Sequence, residues 1–296
     1  MGSTRARTPK NFVLDERLER YRDAIEYLPA TWAGRWREAA APLAPDGRGR
    51  FSRLCLDLGC GKGSYLVAAA RQEPDTLFIG VDVQPVCIAY AAQRICEAGV
   101  DNALVVPGSG ERLAHMFAPG ELDKITLNFP TPHPRKREAL ERLTTVDHLV
   151  SYRGLLARGG EVVLRTDSEP LHDYSLPQFV AAGYEVVWDS GDTRAEHPEI
   201  PLSEYEERLV EEGATVHGIC AVPGPEPTDE QLRAGRAKAG DSLYDYIPDD
   251  LYEGSYVPHG MGFAITAFRN RRRNLAARER AAGAREAAAD PAGKEV

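Results

Sequence analysis

The sequence predicts an α/β fold, a largely parallel sheet with helices on both faces, and three observations carry that prediction. Short apolar runs alternate with segments of helical composition from Leu54 to Asp189, the pattern of repeated βαβ units. The first run opens into a glycine-rich turn, D-L-G-C-G-K-G from Asp57 to Gly63. Polar residues then recur at the carboxyl ends of the runs, at Asp57, Asp82, Ser109, Asn128 and Asp167, which is where an open α/β sheet binds its ligands.

Leu54, Cys55, Leu56 and Leu58 make an apolar run too short for a helix, as expected of a strand buried on both faces. Gly59, Gly61 and Gly63 let the backbone turn sharply and approach a ligand where a Cβ would collide. Ser64 to Arg71 is helical in composition, so its free N–H groups point back into that turn. A second run, Leu77 to Val81, ends in Asp82, with Val83 beside it. An acid roughly 20 residues past a glycine turn suits a ribose, because one carboxylate accepts from both hydroxyls. Two ligand classes fit the layout. A dinucleotide site wants G-x-G-x-x-G and a pyrophosphate on the helix N-terminus; here the spacing is G-x-G-x-G, and Asp57 stands two residues before the first glycine. An acid aimed into the turn repels a pyrophosphate and suits the cationic amino-acid end of S-adenosylmethionine. The motif resembles the first motif of class I methyltransferases. A glycine turn with no ligand is the plainer alternative.

The remaining elements follow in order. Pro85 to Ala98 reads as a helix stopped by Gly99. Ala103 to Pro107 is a third strand, followed by Gly108-Ser109-Gly110 and a short helix to Phe117. Lys124 to Asn128 is the fourth strand, with Glu138 to Leu149 the helix behind it. Glu161 to Thr166 is the fifth, Leu171 to Ala182 the next helix, and Tyr184 to Asp189 the sixth strand. Thr215 to Val222 and Gly262 to Phe268 are both candidates to complete a seven-stranded sheet with an antiparallel edge strand. Upstream, Trp32 and Trp36 are four apart and are expected to pack one face of a short helix onto the core. Ala39 to Gly49 reads as a linker.

Composition bounds the function. The chain has 296 residues, enough for one large core, and its 43% hydrophobic and 27% charged residues are ordinary for a soluble protein. No apolar run approaches 18 residues and the N-terminus is not signal-like, so a cytoplasmic protein without a membrane span is expected. The five cysteines are odd in number and form no C-x-x-C pair, which reads as reduced packing residues and no metal site. A net charge of −9 argues against a surface built for nonspecific nucleic-acid binding, while basic segments remain. The first 22 residues carry six basic side chains against three acids, a solvated arm or a phosphate-contacting one. Glu226 to Glu253 has eight acids against Arg233, Arg236 and Lys238, and reads as an acidic insertion anchored by Tyr244, Tyr246 and Tyr252. From Arg269 onward seven arginines and one lysine face four acids in an alanine-rich tail, expected frayed or disordered.

A second constellation follows the fourth strand, N-F-P-T-P-H-P-R-K-R from Asn128 to Arg137. Three prolines stiffen this loop and three cations leave it, suiting an anionic substrate or a solvated helix start. T-D-S-E-P (Thr166 to Pro170) and S-E-Y-E-E (Ser203 to Glu207) come later. Ser203 with Glu206 or Glu207 also reads as an ordinary helix cap with its partner acid. Together these motifs, in this order, resemble the bacterial tRNA (guanine-N7)-methyltransferase family, from R-A-R-T-P-K at Arg5 through L-P-A-T-W-A-G-R-W to about Gly218.

The resemblance implies a Rossmann-like class I methyltransferase fold and S-adenosylmethionine as cofactor. The domain spans residues 51–222, or takes its last strand from 259–269; an arm (1–50), an acidic insertion (223–258) and a tail (270–296) lie outside it. It places Asp57, Gly59, Gly61 and Gly63 at the methionine end of the cofactor, Asp82 at its ribose, Ser109 and Gly110 by its adenine, and Val83 and Asn128 in the same cofactor-binding set. Arg135, Asp167, Ser203 and Glu206 are implied to face the guanosine, with Thr131 and Asp167 at the reacting centre. The implied partner is tRNA, with the protein a monomer or homodimer. Three positions depart from the family: Thr131 stands in place of an aspartate, His133 of a tryptophan, and Ser109-Gly110 of an acid-alanine pair. Thr131, His133, the acidic insertion and a pI near 5.4 keep open a relative acting on a purine-like small molecule, and Thr131 alone a noncatalytic tRNA-binding or cofactor-sensing relative.

Overall fold

The apolar runs do become strands, and their order decides where a ligand can sit. The computed structural model describes residues 11–38 and 51–289; the basic side chains Arg5, Arg7 and Lys10, the linker from Ala39 to Gly49 and the last seven residues lie outside it. Within it, α1 (Leu14–Arg20) precedes β1 (Arg53–Leu58), α2 (Ser64–Gln72), β2 (Thr76–Asp82), α3 (Pro85–Ala98) and β3 (Ala103–Pro107). Then come β4 (Leu122–Asn128), α4 (Val146–Arg153), β5 (Leu156–Thr166), α5 (Glu169–Ala181), β6 (Tyr184–Ser190) and the short α6 (Thr193–Glu196). The chain ends with α7 (Glu204–Glu211), β7 (His217–Pro223), α8 (Asp229–Ala239) and α9 (Gly262–Ala289).

The strands form one seven-stranded sheet in the order β3-β2-β1-β4-β5-β7-β6. Strands β1 to β5 pair in parallel, and β7 runs antiparallel to both β5 and β6. The expected fold class holds, with one correction. The antiparallel strand is not at the edge but one place in, because β6 takes the outer position and β7 returns between it and β5. One face of the sheet packs Leu54, Leu56, Leu58, Ile125, Leu127 and Leu164 against Tyr152 and Phe179. The other packs Cys55, Phe78 and Val105 against Leu66, Ala69, Ile88 and Ala91 of α2 and α3. Alternate residues of each strand supply the two cores, as a doubly covered sheet requires.

Other expectations need revision. Trp32 caps one short 3-10 turn (Pro29–Thr31) and Trp36 begins another (Trp36–Glu38) rather than sharing one helix; Trp36 is fully buried, lies tilted against Phe117 at 5.7 Å and donates Nε1–H to Met116 O at 2.7 Å. The helix expected over Glu138 to Leu149 is broken into a 3-10 turn (Lys136–Glu141) and α4. The break falls at Arg142, whose buried guanidinium donates to the carbonyls of Pro132, His133 and Asp241. Gly262 to Phe268 is not a strand. It is the start of α9, which carries the arginine-rich stretch expected to be disordered as helix to Ala289. Its first turns bury Met261, Ala264 and Ile265 against Leu171, Tyr174, Leu243 and Ile247, and that burial overrides the β-propensity of the short apolar run. The acidic insertion is also folded: α8 opens with a Thr228–Gln231 capping box, and Tyr244 and Tyr246 pack against the same cluster. Tyr252, expected as a third anchor, is 68% exposed.

Candidate active site

The tips of β2, β1, β4 and β5 lie side by side, so their terminal residues share one rim. After β1 the glycine loop turns through positive φ at Gly59, Gly61 and Gly63. At Gly63 a Cβ would sit 2.9 Å from the Ala91 backbone, so only glycine lets the loop close onto α3. An added Cβ on Gly61 meets nothing within 4 Å, which marks the outer wall of an open cradle. Asp82 fixes that cradle: Oδ2 accepts from Gly61 N–H (3.0 Å) and Oδ1 from Gln84 N–H (2.8 Å). Each oxygen keeps a lone pair for a ribose hydroxyl. Val83, 66% exposed, presents a flat apolar surface next to it. Ser109 begins the next 3-10 turn with its hydroxyl unused as a cap. A methyl on Gly110 would reach Leu58 Cδ2 at 3.4 Å and Leu143 Cδ2 at 3.7 Å, so the departure from alanine there is a small trim of contact.

Asp57 is not aimed openly into the loop. It is buried beneath it, with Oδ1 accepting from Thr126 Oγ1 (2.9 Å) and Asn128 Nδ2 (2.8 Å), while Oδ2 takes no hydrogen bond among the described residues. Burial pushes its pKa up to about 6, opposed by the Asn128 and Thr126 bonds and by the Arg165 charge. Burial also raises Asp82, against the backbone N–H groups of Gln84, Gly61 and Val83. The acceptor set therefore fits S-adenosylmethionine: a buried carboxylate with a free oxygen for an ammonium, a paired acid for a diol, an apolar shelf for a base.

Sequence reasoning missed the link from this acid to the other side of the site. Asn128 turns its Oδ1 to Arg165 Nε (2.9 Å), and Arg165 Nη1 donates to Glu206 Oε2 (2.8 Å). The guanidinium lies between the rings of Tyr65 (5.1 Å) and Phe129 (5.8 Å). Arg194 Nε also approaches Glu206 Oε1 to 2.8 Å, but without hydrogen-bond alignment, so that contact is charge attraction alone. Glu206 is 0% exposed and Arg165 1%. The carboxylate expected to face the guanosine is spent on two arginines. Ser203 caps α7, accepting from Glu206 N–H, the plainer of its two readings. One signal was available: an arginine at the end of the apolar run E-V-V-L-R-T needs a buried acid.

The proline loop passes over this network. Phe129 and His133 adopt positive φ (50° and 45°). Thr131 is exposed, and His133 is half-buried with its pKa lowered by desolvation, 3.7 Å from Glu141. Arg135 pairs loosely with Glu138 and stacks on Phe263 at 4.5 Å. Asp167, at the tip of β5, is met by residues from far along the chain. Its Oδ2 accepts from Tyr256 Oη and from His259 N–H, both at 2.9 Å, leaving Oδ1 to accept another donor. Ser242 Oγ and Leu243 N–H both donate to Pro134 O. Residues 241–265 thus clamp the proline loop from outside.

Strand order, the returning seventh strand and the acid-glycine loop define a class I methyltransferase fold. Residues 52–219 match the family described as "Putative methyltransferase". A tRNA (guanine-N7)-methyltransferase of Streptococcus suis is 32% identical over 194 residues, 65% of this chain and 88% of that protein. One of Geobacillus kaustophilus is 32% identical over 203 residues, 67% of this chain and 88% of that protein. A solved SAM-dependent methyltransferase from Aquifex aeolicus is 14% identical, with a TM-score of 0.42 over 58% of this chain and 82% of that one. The chain belongs to the tRNA (guanine-N7)-methyltransferase family. Among the described residues no helix is long and apolar enough to cross a membrane, and no group of three or more His, Cys, Asp and Glu side chains is placed to hold a metal.

Proposed function

We propose that this chain transfers the methyl group of S-adenosylmethionine to N7 of a guanine in tRNA. The observation that carries the reading is the single rim on which the acid-glycine cradle (Asp57 to Gly63, Asp82) meets the proline loop and Asp167. When bound, the cofactor would supply a methyl on a sulfonium; the in-plane lone pair of guanine N7 would take it as the carbon–sulfur bond breaks, the sulfur keeping that electron pair as neutral S-adenosylhomocysteine and the positive charge passing to the 7-methylguanine. That nitrogen carries no proton, so the protein needs no general base. Its residues act by positioning, where effective molarity is worth roughly 7–11 kcal/mol at its upper end. Asp57 and Asp82 would hold the donor by its ammonium and ribose, with Asn128 tying the first of these to Arg165. Asp167 Oδ1 accepts from the N1–H and amino edge of the guanine, a role the exposed Thr131 hydroxyl fills only as a neutral acceptor. Arg135 meets a phosphate.

The test is turnover of unmodified tRNA transcripts with methyl-labelled S-adenosylmethionine, followed by nucleoside analysis. Label in 7-methylguanosine is expected; label in another nucleoside, or none, overturns the assignment. Thr131, together with the Tyr256 clamp on Asp167, favours one second reading, methylation of a purine-like small molecule. It predicts tight cofactor binding with tRNA left unlabelled.

A further inference from the structure

The region beyond the family match carries a charge pattern that the site does not account for. The chain as a whole has a net charge of −9, yet Arg269 to Ala282 of α9 holds six arginines and one acid, Glu279. Three of the arginines turn toward the acidic segment, Arg269 half-buried and Arg272 and Arg273 exposed. Arg269 donates to the carbonyls of Tyr252 and Ser255, Arg272 to that of Asp249, and Arg273 pairs with Glu253. They join α9 to the acidic segment along its first turns. Arg271, Arg278 and Arg280 are exposed and have no partner among the described residues. Arg271 and Arg278 are seven residues apart, on one side of the helix and about 10 Å apart along its axis.

We propose that α9 is an RNA-docking arm whose free arginines contact the phosphate backbone of the tRNA as its guanine enters the site. The proposal rests on the substrate reading above and adds where the RNA lies. Position is the first argument. The helix begins at the mouth of the site, where Phe263 is 64% exposed and stacks on Arg135, and Gly260 lies against Pro132. His259, three residues before the helix, bonds Asp167. Twenty-eight residues of helix then run outward, about 42 Å at 1.5 Å each, beyond the reach of any single nucleotide and suited to a structured stem. Chemistry is the second. Arginine forks pair with phosphate oxygens in two-point fashion, and an exposed aromatic beside a cation, Phe263 on Arg135, offers a stacking face to an unpaired base. A membrane fits less well. From Arg269 to Ala282 the only large apolar side chain is Leu275, so the helix has no apolar face to lay into a bilayer.

The experiment compares full-length wild type with R271A/R278A/R280A, and with R271K/R278K/R280K as the charge-preserving control. Each is titrated with unmodified tRNA, and with a generic RNA duplex, from 50 to 200 mM salt. Binding of S-adenosylhomocysteine and thermal melting check that the fold and cradle are intact. Arg280 lies about 180° round the helix from Arg271, so two contacts are lost from one face; they lower the log–log salt slope by about 1.4–1.8, and wild type should lose about 7–12-fold more affinity over that range than the alanine variant. KM for tRNA should rise in the alanine variant, kcat at saturating tRNA should hold, and the lysine variant should keep most of the slope. If wild type makes 7-methylguanosine but all three proteins share one salt slope and one KM, the arm is wrong and the activity stands. If wild type binds neither RNA, the arm is wrong, and the activity falls with it only if 7-methylguanosine is also absent. Loss of binding to phosphatidylserine vesicles with RNA binding unchanged would reassign the arginines to a membrane.

Discussion

Glu206→Gln should destabilise this protein far more than an amide-for-acid exchange on a helix ordinarily does. The carboxylate is fully buried and faces two cations: Arg165, itself 1% exposed and hydrogen-bonded at 2.8 Å, and Arg194, 19% exposed. Glutamine keeps the shape but removes the charge that offsets both. Breaking a buried pair from one side costs about 3–5 kcal/mol, because the remaining charge stays out of water without compensation. The damage then runs toward the cofactor. A displaced Arg165 releases Asn128 Oδ1, and Asn128 Nδ2 donates to Oδ1 of Asp57, the acid proposed to hold the cofactor. Urea unfolding extrapolated to water measures the first effect, and calorimetric titration with S-adenosylhomocysteine the second. Pairing the change with Arg165→Met should restore part of the stability, since no unmatched guanidinium then remains beneath the loop. A loss under about 1 kcal/mol for Glu206→Gln, within the range of a surface substitution, would refute the account of this network. So would a double variant that is worse than the two single losses combined.

Four further expectations follow from the same geometry. Asp82→Ala should abolish tight S-adenosylhomocysteine binding and cost about 1–3 kcal/mol of stability, because Gly61 N–H and Gln84 N–H lose their acceptor; unchanged affinity by calorimetry removes Asp82 from the site. Asp57, raised from 3.8 to about 6, holds more proton folded than unfolded between those values, so stability should fall as pH rises through that window. Affinity for S-adenosylhomocysteine should rise over the same window as the carboxylate ionises, and Asp57→Asn should flatten both curves. Asp167→Asn should lower kcat/KM on tRNA by roughly 10- to 100-fold, the worth of a charge-assisted hydrogen bond, with cofactor affinity untouched. Thr131→Asp, on an exposed residue, should leave stability within about 0.5 kcal/mol and leave tRNA turnover equal or faster; a robust wild-type rate that it destroys would sink this reading of the loop.

What was legible in the sequence was what local chemistry writes there. Glycines forced into positive φ, apolar runs too short for helices, and an acid at a strand tip each declare themselves without knowledge of the rest of the chain. The Ser203 cap was legible for the same reason. Arg165 was half-legible, since its burial follows from its neighbours while its partner sits 41 residues on. Glu206 was assigned to the substrate because a helix face does not say which way it is turned. The place of β7 was hidden too: a strand between β5 and β6 and a strand at the edge have the same length and the same apolar content. Gly262 to Phe268 misled for a related reason, since seven residues with three large apolar side chains, Phe263, Ile265 and Phe268, suit a strand or a buried helical turn equally.

The proline loop shows how far the site depends on distant residues. Three prolines suggested a loop that holds its own shape, yet Phe129 and His133 sit at positive φ, a conformation costing roughly 1–2 kcal/mol for each residue bearing a Cβ. Prolines lower the entropy of the unfolded loop; they do not offset strain at the residues between them. The offset comes from outside. Arg142 ties the Pro132 and His133 carbonyls to the carbonyl of Asp241, and Ser242 and Leu243 hold that of Pro134. The cluster under α9 in turn fixes residues 241–247 against α5, whose N-terminus directly follows Asp167. The strained proline loop, the acid beside it and a C-terminal extension outside the family match are therefore one mechanical unit. A truncation before Asp241 should release the loop along with the clamp on Asp167.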